Sequence, residues 1–424
     1  MLKLLQLCPV TIATPRSGVQ LRNYHMAKQL SRTMQVTHLG FYNLDEDVVD
    51  TKELGSIRLN HVPRPRSYTL ATLIRGFVGP VPAPLLNYIS EPMKASLLQL
   101  LREQIFDIVQ LEGVEMSPYI PLVRSFTRPS TYITLDWHNI ESEALERHAQ
   151  FAATALHRTY LKRAAAQMRR VESTVLRECD LHITMSERDT AALRRVNSNA
   201  HFTTGENGVD TEYFTVKTAL SDSIDRWKER NRVLFVGAMD YTANVVSILD
   251  FADRIWPRIL STHPALRLTI VGRNPVEKIR ALGERPGIEV TGTVSDVRPF
   301  YAEALVTVVP LLIGGGTRLK IPEAWAAGVP VVTTTLGAEG LRIQPEVDCL
   351  IADDTAAFLS HVSRLREDYE LWRTVAANGR SLSLSYDWST TCGYLAQHYL
   401  DLLTATRCER ATIGEKGDKV AAAL

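Results

Sequence analysis

The chain has 424 residues, with 48 Lys+Arg against 47 Asp+Glu, 45% hydrophobic and 22% charged. That is an ordinary globular composition in a chain too long for a single core, so two domains are expected. A net charge of +1 gives no electrostatic case for a nucleic-acid partner.

The charge is unevenly spread. Residues 1–205 hold 24 Lys+Arg against 19 Asp+Glu, and residues 206–424 hold 24 against 28. The first half therefore suits something acidic, such as a membrane surface or a phosphorylated acceptor, with chance as the competing account. Five cysteines (Cys8, Cys179, Cys349, Cys392, Cys408) are scattered without a C-x-x-C pair. That excludes the usual zinc spacings and argues against a disulfide framework. The opening MLKLLQLCPV reads as a buried strand and not as a signal peptide. No apolar run approaches the ~20 residues that span a bilayer. The expected location is cytoplasmic, with peripheral contact to the inner membrane.

Taken in order, strand Lys3–Leu7 leads through Thr14-Pro15-Arg16-Ser17-Gly18 into a helix over Leu21–Ser31. This is half of a nucleotide-binding unit. The full G-x-G-x-x-G is absent, so dinucleotide binding is not supported. Strands are predicted at Gln35–Phe41 and Ser56–Val62. Between them, Asp45-Glu46-Asp47 matches a D-x-D metal pair but reads better as a solvated loop. Residues 63–93 mix prolines, arginines and apolar side chains. They fit a membrane-facing or acceptor-facing lip, against the plainer reading of a surface loop with one short helix. A helix over Lys94–Gln104 and a strand over Ile108–Leu111 follow, with Glu112-Gly113 at the carboxyl end. Strand Thr131–Leu135 ends in Asp136-Trp137-His138-Asn139-Ile140-Glu141. A lone His is usually structural, but this one sits where α/β folds place ligands, so a functional His138 is favoured. Residues 142–178 read as one or two helices with a solvated basic face. Strand Leu181–Thr184 and helix Glu187–Val196, capped by Ser186, close the first half.

Asn207-Gly208-Val209-Asp210 makes a tight turn. A second sheet starts at Arg232–Val236, with Gly237 opening a helix that ends near Trp256. Strands at Leu266–Val271 and Ile288–Val290 precede Gly292. The stretch from Val309 to Leu341 organises the rest: buried strand, Gly314-Gly315-Gly316, Thr317, Arg318, Lys320, Glu323, then Gly328 and the strand Val331–Thr335. Free amides at such a turn, with two cations beside them, suit a phosphate-bearing ligand; a solvated helix start is the bland alternative. Pro322 is tolerated only in the first turn, so the helix is expected to begin near Lys320. Helices over Thr355–Glu367 and Tyr369–Ser385 precede a last amphipathic helix through Leu403.

GGGTRLKIPEAWAAGVPVV resembles the donor-site signature of GT-B glycosyltransferases of family 4, where E-x7-E precedes A-x-A-x-G-x-P-V-V. Glu323 matches the second Glu, which the resemblance assigns to the ribose hydroxyls of a sugar nucleotide. Gly315 stands where the first Glu would be, as in a subset carrying G-x-G-T-R-L-K. Ser17 and Gly18 match a glycine pair that closes over the donor phosphates. Asp136-x-His138 resembles the loop whose His reaches the donor sugar. Asn207-Gly208-Val209-Asp210…Phe214 resembles the entry to the second domain, and Ala338-Glu339-Gly340-Leu341 another signature near the donor.

Strands alternating with helices twice over predict two doubly wound parallel sheets. The resemblance implies the GT-B architecture, with Rossmann-like domains either side of a cleft. Residues 1–205 would bind acceptor and 206–385 the nucleotide sugar. Residues 386–405 would form a helix crossing back onto the first domain, and 406–424 a disordered tail. It further implies a retaining, metal-independent hexosyltransferase acting in polysaccharide or glycolipid assembly. Catalysis would fall to His138, Arg318 and Lys320. Donor contacts would come from Ser17, Gly18, Gly237, Gly292, Gly315, Gly316, Thr317, Glu323, Glu339 and Gly340. No cofactor is expected beyond the nucleotide-sugar co-substrate, and the acceptor would be a sugar or lipid-linked sugar. A non-hydrolysing sugar-nucleotide epimerase of the same architecture and an inactive sugar-nucleotide-binding module remain alternatives.

Overall fold

The computed structural model describes residues 1–13, 15, 17–43, 53–65, 68–152, 154–215, 223–314 and 319–421, with side chains as far as residue 404. Asp45, Glu46 and Asp47, and Gly315, Gly316, Thr317 and Arg318, lie outside the described residues.

The first half alternates β1 (Leu2–Cys8), α1 (Gly18–Leu30), β2 (Met34–Tyr42), β3 (Glu53–Leu54), β4 (Ile57–Pro63), α2 (Leu70–Val78), α3 (Glu91–Glu103), β5 (Ile108–Glu112), β6 (Tyr132–Trp137), α4 (Glu141–Gln150), α5 (Ala155–Glu178), β7 (Leu181–Thr184), α6 (Glu187–Val196) and β8 (Phe202–Thr204). The strands form one sheet in the order β3-β4-β2-β1-β5-β6-β7-β8. All neighbours are parallel except the antiparallel β3–β4 pair. Helices cover both faces, which is why β1 and β5 read as nearly unbroken apolar runs instead of alternating ones.

The second half supplies β9 (Arg232–Val236), α7 (Thr242–Asp250), β10 (Arg267–Val271), β11 (Ile288–Gly292), β12 (Ala304–Val309), α8 (Lys320–Ala326), β13 (Val331–Thr333), β14 (Leu350–Ile351), α9 (Thr355–Glu367), α10 (Tyr369–Ser383) and α11 (Trp388–Ala421). Its sheet is parallel in the order β11-β10-β9-β12-β13-β14. Strand order reverses direction between β1 and β5 in one sheet and between β9 and β12 in the other. Such switch points leave a crevice at the carboxyl edge, where the loops diverge.

Two connections join the halves, and they pair with each other. The Val209 amide donates to the Tyr386 carbonyl at 2.8 Å, and the Trp388 amide to the Val209 carbonyl at 3.2 Å. Gly208 lies under the Trp388 indole, where a Cβ would stand 2.5 Å from Cδ2. The glycine of N-G-V-D is therefore required by close approach. Asp387 accepts from the Thr211 hydroxyl at 2.6 Å, which fixes the start of the second domain against the start of α11. From there α11 returns to the first domain. Trp388 stacks on His25 of α1 with centroids 5.0 Å apart, and Cys392, Leu395, Tyr399 and Leu403 complete a core begun by Leu4, Met26 and Leu30.

Three boundaries differ from expectation. The helix expected to end near Trp256 continues to Thr262, through a π turn at Phe251–Ile255 that absorbs Pro257. Two helices, Leu70–Val78 and Ala83–Leu86, occupy the proline-rich segment where one was expected. Helix α11 runs to Ala421, past Leu403 and through the stretch expected as a disordered tail; alanine, glutamate, lysine and arginine there favour helical backbone.

Candidate active site between two switch points

The first part of the site grows from strand register. His38, Gln6, Gln110 and Thr134 are aligned partners on β2, β1, β5 and β6, and Glu112 is aligned with Asp136 one row further along. These polar residues are buried in strands that are otherwise apolar. Each must find a partner or cost stability. Gln6 Nε2 and Gln110 Nε2 donate to Glu112 Oε1 at 2.8 and 2.6 Å. The Asn23 amide of α1, turned so that its nitrogen faces the sheet, donates to Glu112 Oε2 at 3.1 Å. His138 Nε2 meets the same oxygen at 3.1 Å. Beside this pair, Arg22 grips Asp136 with two hydrogen bonds, Nε–Oδ2 at 2.8 Å and Nη2–Oδ1 at 2.9 Å. Its remaining donors reach the Gly205 carbonyl at 2.8 Å and Asn207 Oδ1 at 3.1 Å.

Electrostatically, two cationic groups face two carboxylates. Burial opposes charge on His138 and on Glu112, but their hydrogen bond and mutual attraction outweigh it, so His138 is raised and Glu112 lowered. Burial raises Asp136 to about 6, with Arg22 pulling it down and Glu112 pushing it up. His138 is the member that reaches the surface, with 10% of its side chain exposed against none for Glu112. With Nε2 committed to Glu112, Nδ1 is the other ring nitrogen, and it lies beside Gly113, where a Cβ would stand 3.5 Å away.

Ligand atoms of Glu112, Asp136 and His138 lie within 4.8 Å of one another. They do not fit a cation. Both Asp136 oxygens are held by a guanidinium, and Glu112 is already saturated by donors.

The second part lies at the β9/β12 switch point. Lys320 Nζ donates to Asn244 Oδ1 at 2.7 Å and sits 4.6 Å from the Phe235 ring centroid. A Cβ at Gly237 would stand 3.2 Å from that ammonium, so glycine keeps the approach open. Glu323 is one turn further along α8, half-buried; burial pushes it up to about 7, with Lys320 pulling it back. Gly292 takes a left-handed φ of +70° at the end of β11 and has open space where a side chain would be.

The parts meet across the cleft. A Cβ on Gly18 would lie 3.4 Å from Leu319 Cδ1. Arg147 of α4 donates to the Gly314 carbonyl at 2.7 Å and to Glu339 through two bonds of 2.7 and 3.0 Å. Arg188 adds a longer contact to Glu339 at 3.5 Å.

Of the residues expected at the site, His138, Gly18, Gly237, Lys320, Glu323, Glu339 and Gly292 border the carboxyl edges of the sheets. Gly340 adopts φ +83° beside Glu339. Ser17 is occupied as the cap of α1, accepting from the Gln20 amide while Gln20 returns a bond to its backbone. Glu339 is engaged by Arg147 instead of standing free. Sequence reasoning read the helices after His138 as a solvated basic face, and Arg147 is the exception. Gln6 and Gln110 were legible only as polar residues in buried strands, and Glu112 was placed at a strand's carboxyl end without its pairing to His138. Asn244 carried no signal of its own.

Comparison with known proteins bears on the fold. The chain superposes on sucrose-phosphate synthase from Thermosynechococcus elongatus with a TM-score of 0.71 at 17% identity, covering 95% of this chain and 100% of that one. The fold is GT-B. Anabaena HepE, solved in complex with UDP-glucose, gives 0.64 at 14% identity, covering 96% and 100%. Trehalose 6-phosphate synthase from Burkholderia multivorans gives 0.64 at 12%, again covering 96% and 100%. Residues 230–368 match the family described as Glycosyl transferases group 1. Among curated proteins, the chain is 24% identical over 164 residues to an uncharacterised 44.6 kDa protein from the cps region of Klebsiella pneumoniae, covering 37% of this chain and 42% of that protein. It is also 24% identical over 188 residues to an exopolysaccharide phosphotransferase of Streptomyces coelicolor, covering 41% of this chain and 19% of that protein. The chain thus spans less than half the length of these curated relatives.

Proposed function

We propose that this protein is a retaining glycosyltransferase that moves a sugar from a nucleoside diphosphate to an acceptor hydroxyl in extracellular polysaccharide or glycolipid assembly. The observation that carries the reading is the meeting of two switch-point crevices. One presents a supported histidine, and the other a lysine and a glutamate at ligand spacing. Solved relatives of this fold include one bound to UDP-glucose, and one curated relative is named for exopolysaccharide work.

In the reaction the bond from the anomeric carbon to the diphosphate breaks, the acceptor oxygen bonds on the same face, and the hydroxyl proton leaves with the diphosphate. Negative charge grows on the leaving group, so fixed cations in a water-poor cleft lower the barrier. Lys320 is assigned that role, together with Arg318. His138, held by Glu112 and biased toward its protonated form, donates from Nδ1 to a donor-sugar hydroxyl. Glu323 accepts from the ribose hydroxyls. Domains 1–205 and 206–385 take acceptor and donor respectively.

The test is incubation with labelled UDP-, GDP- and ADP-sugars, with and without a membrane-lipid extract. Label appearing in the acceptor fraction is the expected result. Sugar isomerised without acceptor would identify an epimerase, and nucleotide bound without turnover a binding module. Activity is expected to persist in excess EDTA. Loss on chelation, restored by manganese or magnesium, would contradict metal independence.

A further inference from the structure

Helix α2 is built the wrong way round for a soluble protein. Leu70, Ile74, Phe77 and Val78 stand at i, i+4, i+7 and i+8, one face of a helix, a stripe that normally turns toward the core. Here it turns outward: Leu70 is 75% exposed, Ile74 55% and Val78 72%. The helix is pinned through its opposite side. Gly76 is buried against Ala83, and Gln167 of α5 donates to the Gly76 carbonyl at 2.9 Å. Arg163 of α5 donates to the Phe77 carbonyl, and the Phe77 and Tyr160 rings stack with centroids 6.1 Å apart. The backbone is thus held rigidly while the apolar stripe is left to solvent. Leu156, one turn before Tyr160 and 78% exposed, extends the patch onto α5, and exposed Phe151 extends it to the end of α4.

The surrounding charge has one sign. Residues 63–90 contain three arginines and no Asp or Glu, and residues 151–171 contain five Lys+Arg and no Asp or Glu. Arg75, Arg158, Lys162 and Arg163 are exposed around the patch. Among the described residues no Asp or Glu forms an ion pair with these four cations; Glu146 of α4 is bound to Arg169 of α5. Apolar side chains ringed by unneutralised cations match a surface that is oily beneath and negative on top.

We infer that α2 and the start of α5 form a docking lip that seats this protein on an anionic lipid bilayer. Leu70, Ile74, Val78 and Leu156 enter the acyl boundary, and the four cations meet the headgroups. Helix α4 joins this lip to the cleft. It starts just past His138, carries the cleft-crossing Arg147, and ends at Phe151 after 10 residues, about 15 Å of helix. The bilayer would then lie beside the mouth of the cleft. That a lipid-linked acceptor enters there rests on the transferase reading; the docking itself does not.

The test is co-sedimentation of the full chain with phosphatidylglycerol-containing vesicles and with purely phosphatidylcholine vesicles, scored by binding without any activity assay. Binding to the anionic vesicles alone, weakened by high salt, is expected. Leu70→Ser/Ile74→Ser/Val78→Ser should lower the partition coefficient by about tenfold or more, and Arg75→Gln/Arg158→Gln/Lys162→Gln should remove its salt dependence. All six side chains are exposed, so unchanged thermal melting is expected in both variants. Wild-type protein left in the supernatant with anionic vesicles would overturn the inference, as would the apolar variant binding like wild type. A dimer in analytical ultracentrifugation, dissociated by the apolar substitutions, would assign the face to a second copy and also overturn it.

Discussion

The two sides of the cleft are furnished in opposite ways. On the first domain, the carboxylates of Glu112 and Asp136 are saturated by Gln6, Gln110, Asn23, His138 and Arg22. On the second, Lys320 has Asn244 as a neutral partner, and half-buried Glu323 is held up to about 7 by burial. A saturated cluster fixes one side chain in one geometry before anything binds. The second side also includes residues 315–318, which lie outside the described residues. Under the proposed function, the contrast divides orientation and affinity between the domains, with His138 fixed by its partners on one side and Lys320 and Glu323 serving the donor on the other.

The largest expected effect tests the saturated side. Arg22→Ala leaves Asp136 buried without its guanidinium, and breaking a buried pair in this way costs about 3–5 kcal/mol. Chemical denaturation should show that loss, and Asp136→Asn in the same chain should recover part of it. A variant as stable as wild type would mean that the cluster is solvated. Next, under the proposed function Lys320→Ala removes charge that counts chiefly in the transition state. Its kcat should fall by ~10²–10³ with the fold intact. Near-normal kcat would put the diphosphate elsewhere and erase the contrast.

Tyr399→Phe probes the support at one remove. The Tyr399 hydroxyl donates to Gln110 Oε1 at 2.7 Å and accepts from Thr134 Oγ1 at 3.1 Å, so its loss strands a buried acceptor and a buried donor at about 1–3 kcal/mol. Stability should drop by that amount while nucleotide affinity stays unchanged. A drop in nucleotide affinity instead would show the two sides to be coupled. The smallest effect concerns the second side. Glu323 gives up its proton near pH 7, and the ionised form is the better acceptor for ribose hydroxyls. Donor binding should therefore tighten as pH rises through 7, within about tenfold, because one pKa unit is worth 1.36 kcal/mol. Calorimetric titration of Glu323→Gln should give weaker binding without the pH step. A step that persists in the variant belongs to another group.

Much of the fold was legible because buried parallel strands must be apolar runs. β7, α6, β9 and α9 fall on the residues expected, and α8 begins at Lys320 as Pro322 requires. The short strands β8 and β14 escaped because three or two residues carry no period, and pairing with a neighbour defines them. His138, Glu323 and Lys320 stood out as charged or titratable groups at strand ends. Their supports did not. A glutamine in a strand looks like noise until register aligns Gln6 with Gln110 and sets both under Glu112. Arg147 was one cation among seven in residues 142–178, and only tertiary structure separates the one that crosses the cleft.

Tyr399 also imposes a timetable. The ribosome makes α11 roughly 180 residues after the first domain is otherwise complete, which at ~5–20 residues per second is on the order of 10–40 s. Through that interval the emerging first domain lacks Trp388, Cys392, Leu395 and Tyr399, so Met26 and Leu30 of α1 face water. The nascent chain must wait with an oily flank open. The histidine gains its last buttress only when translation has passed residue 399.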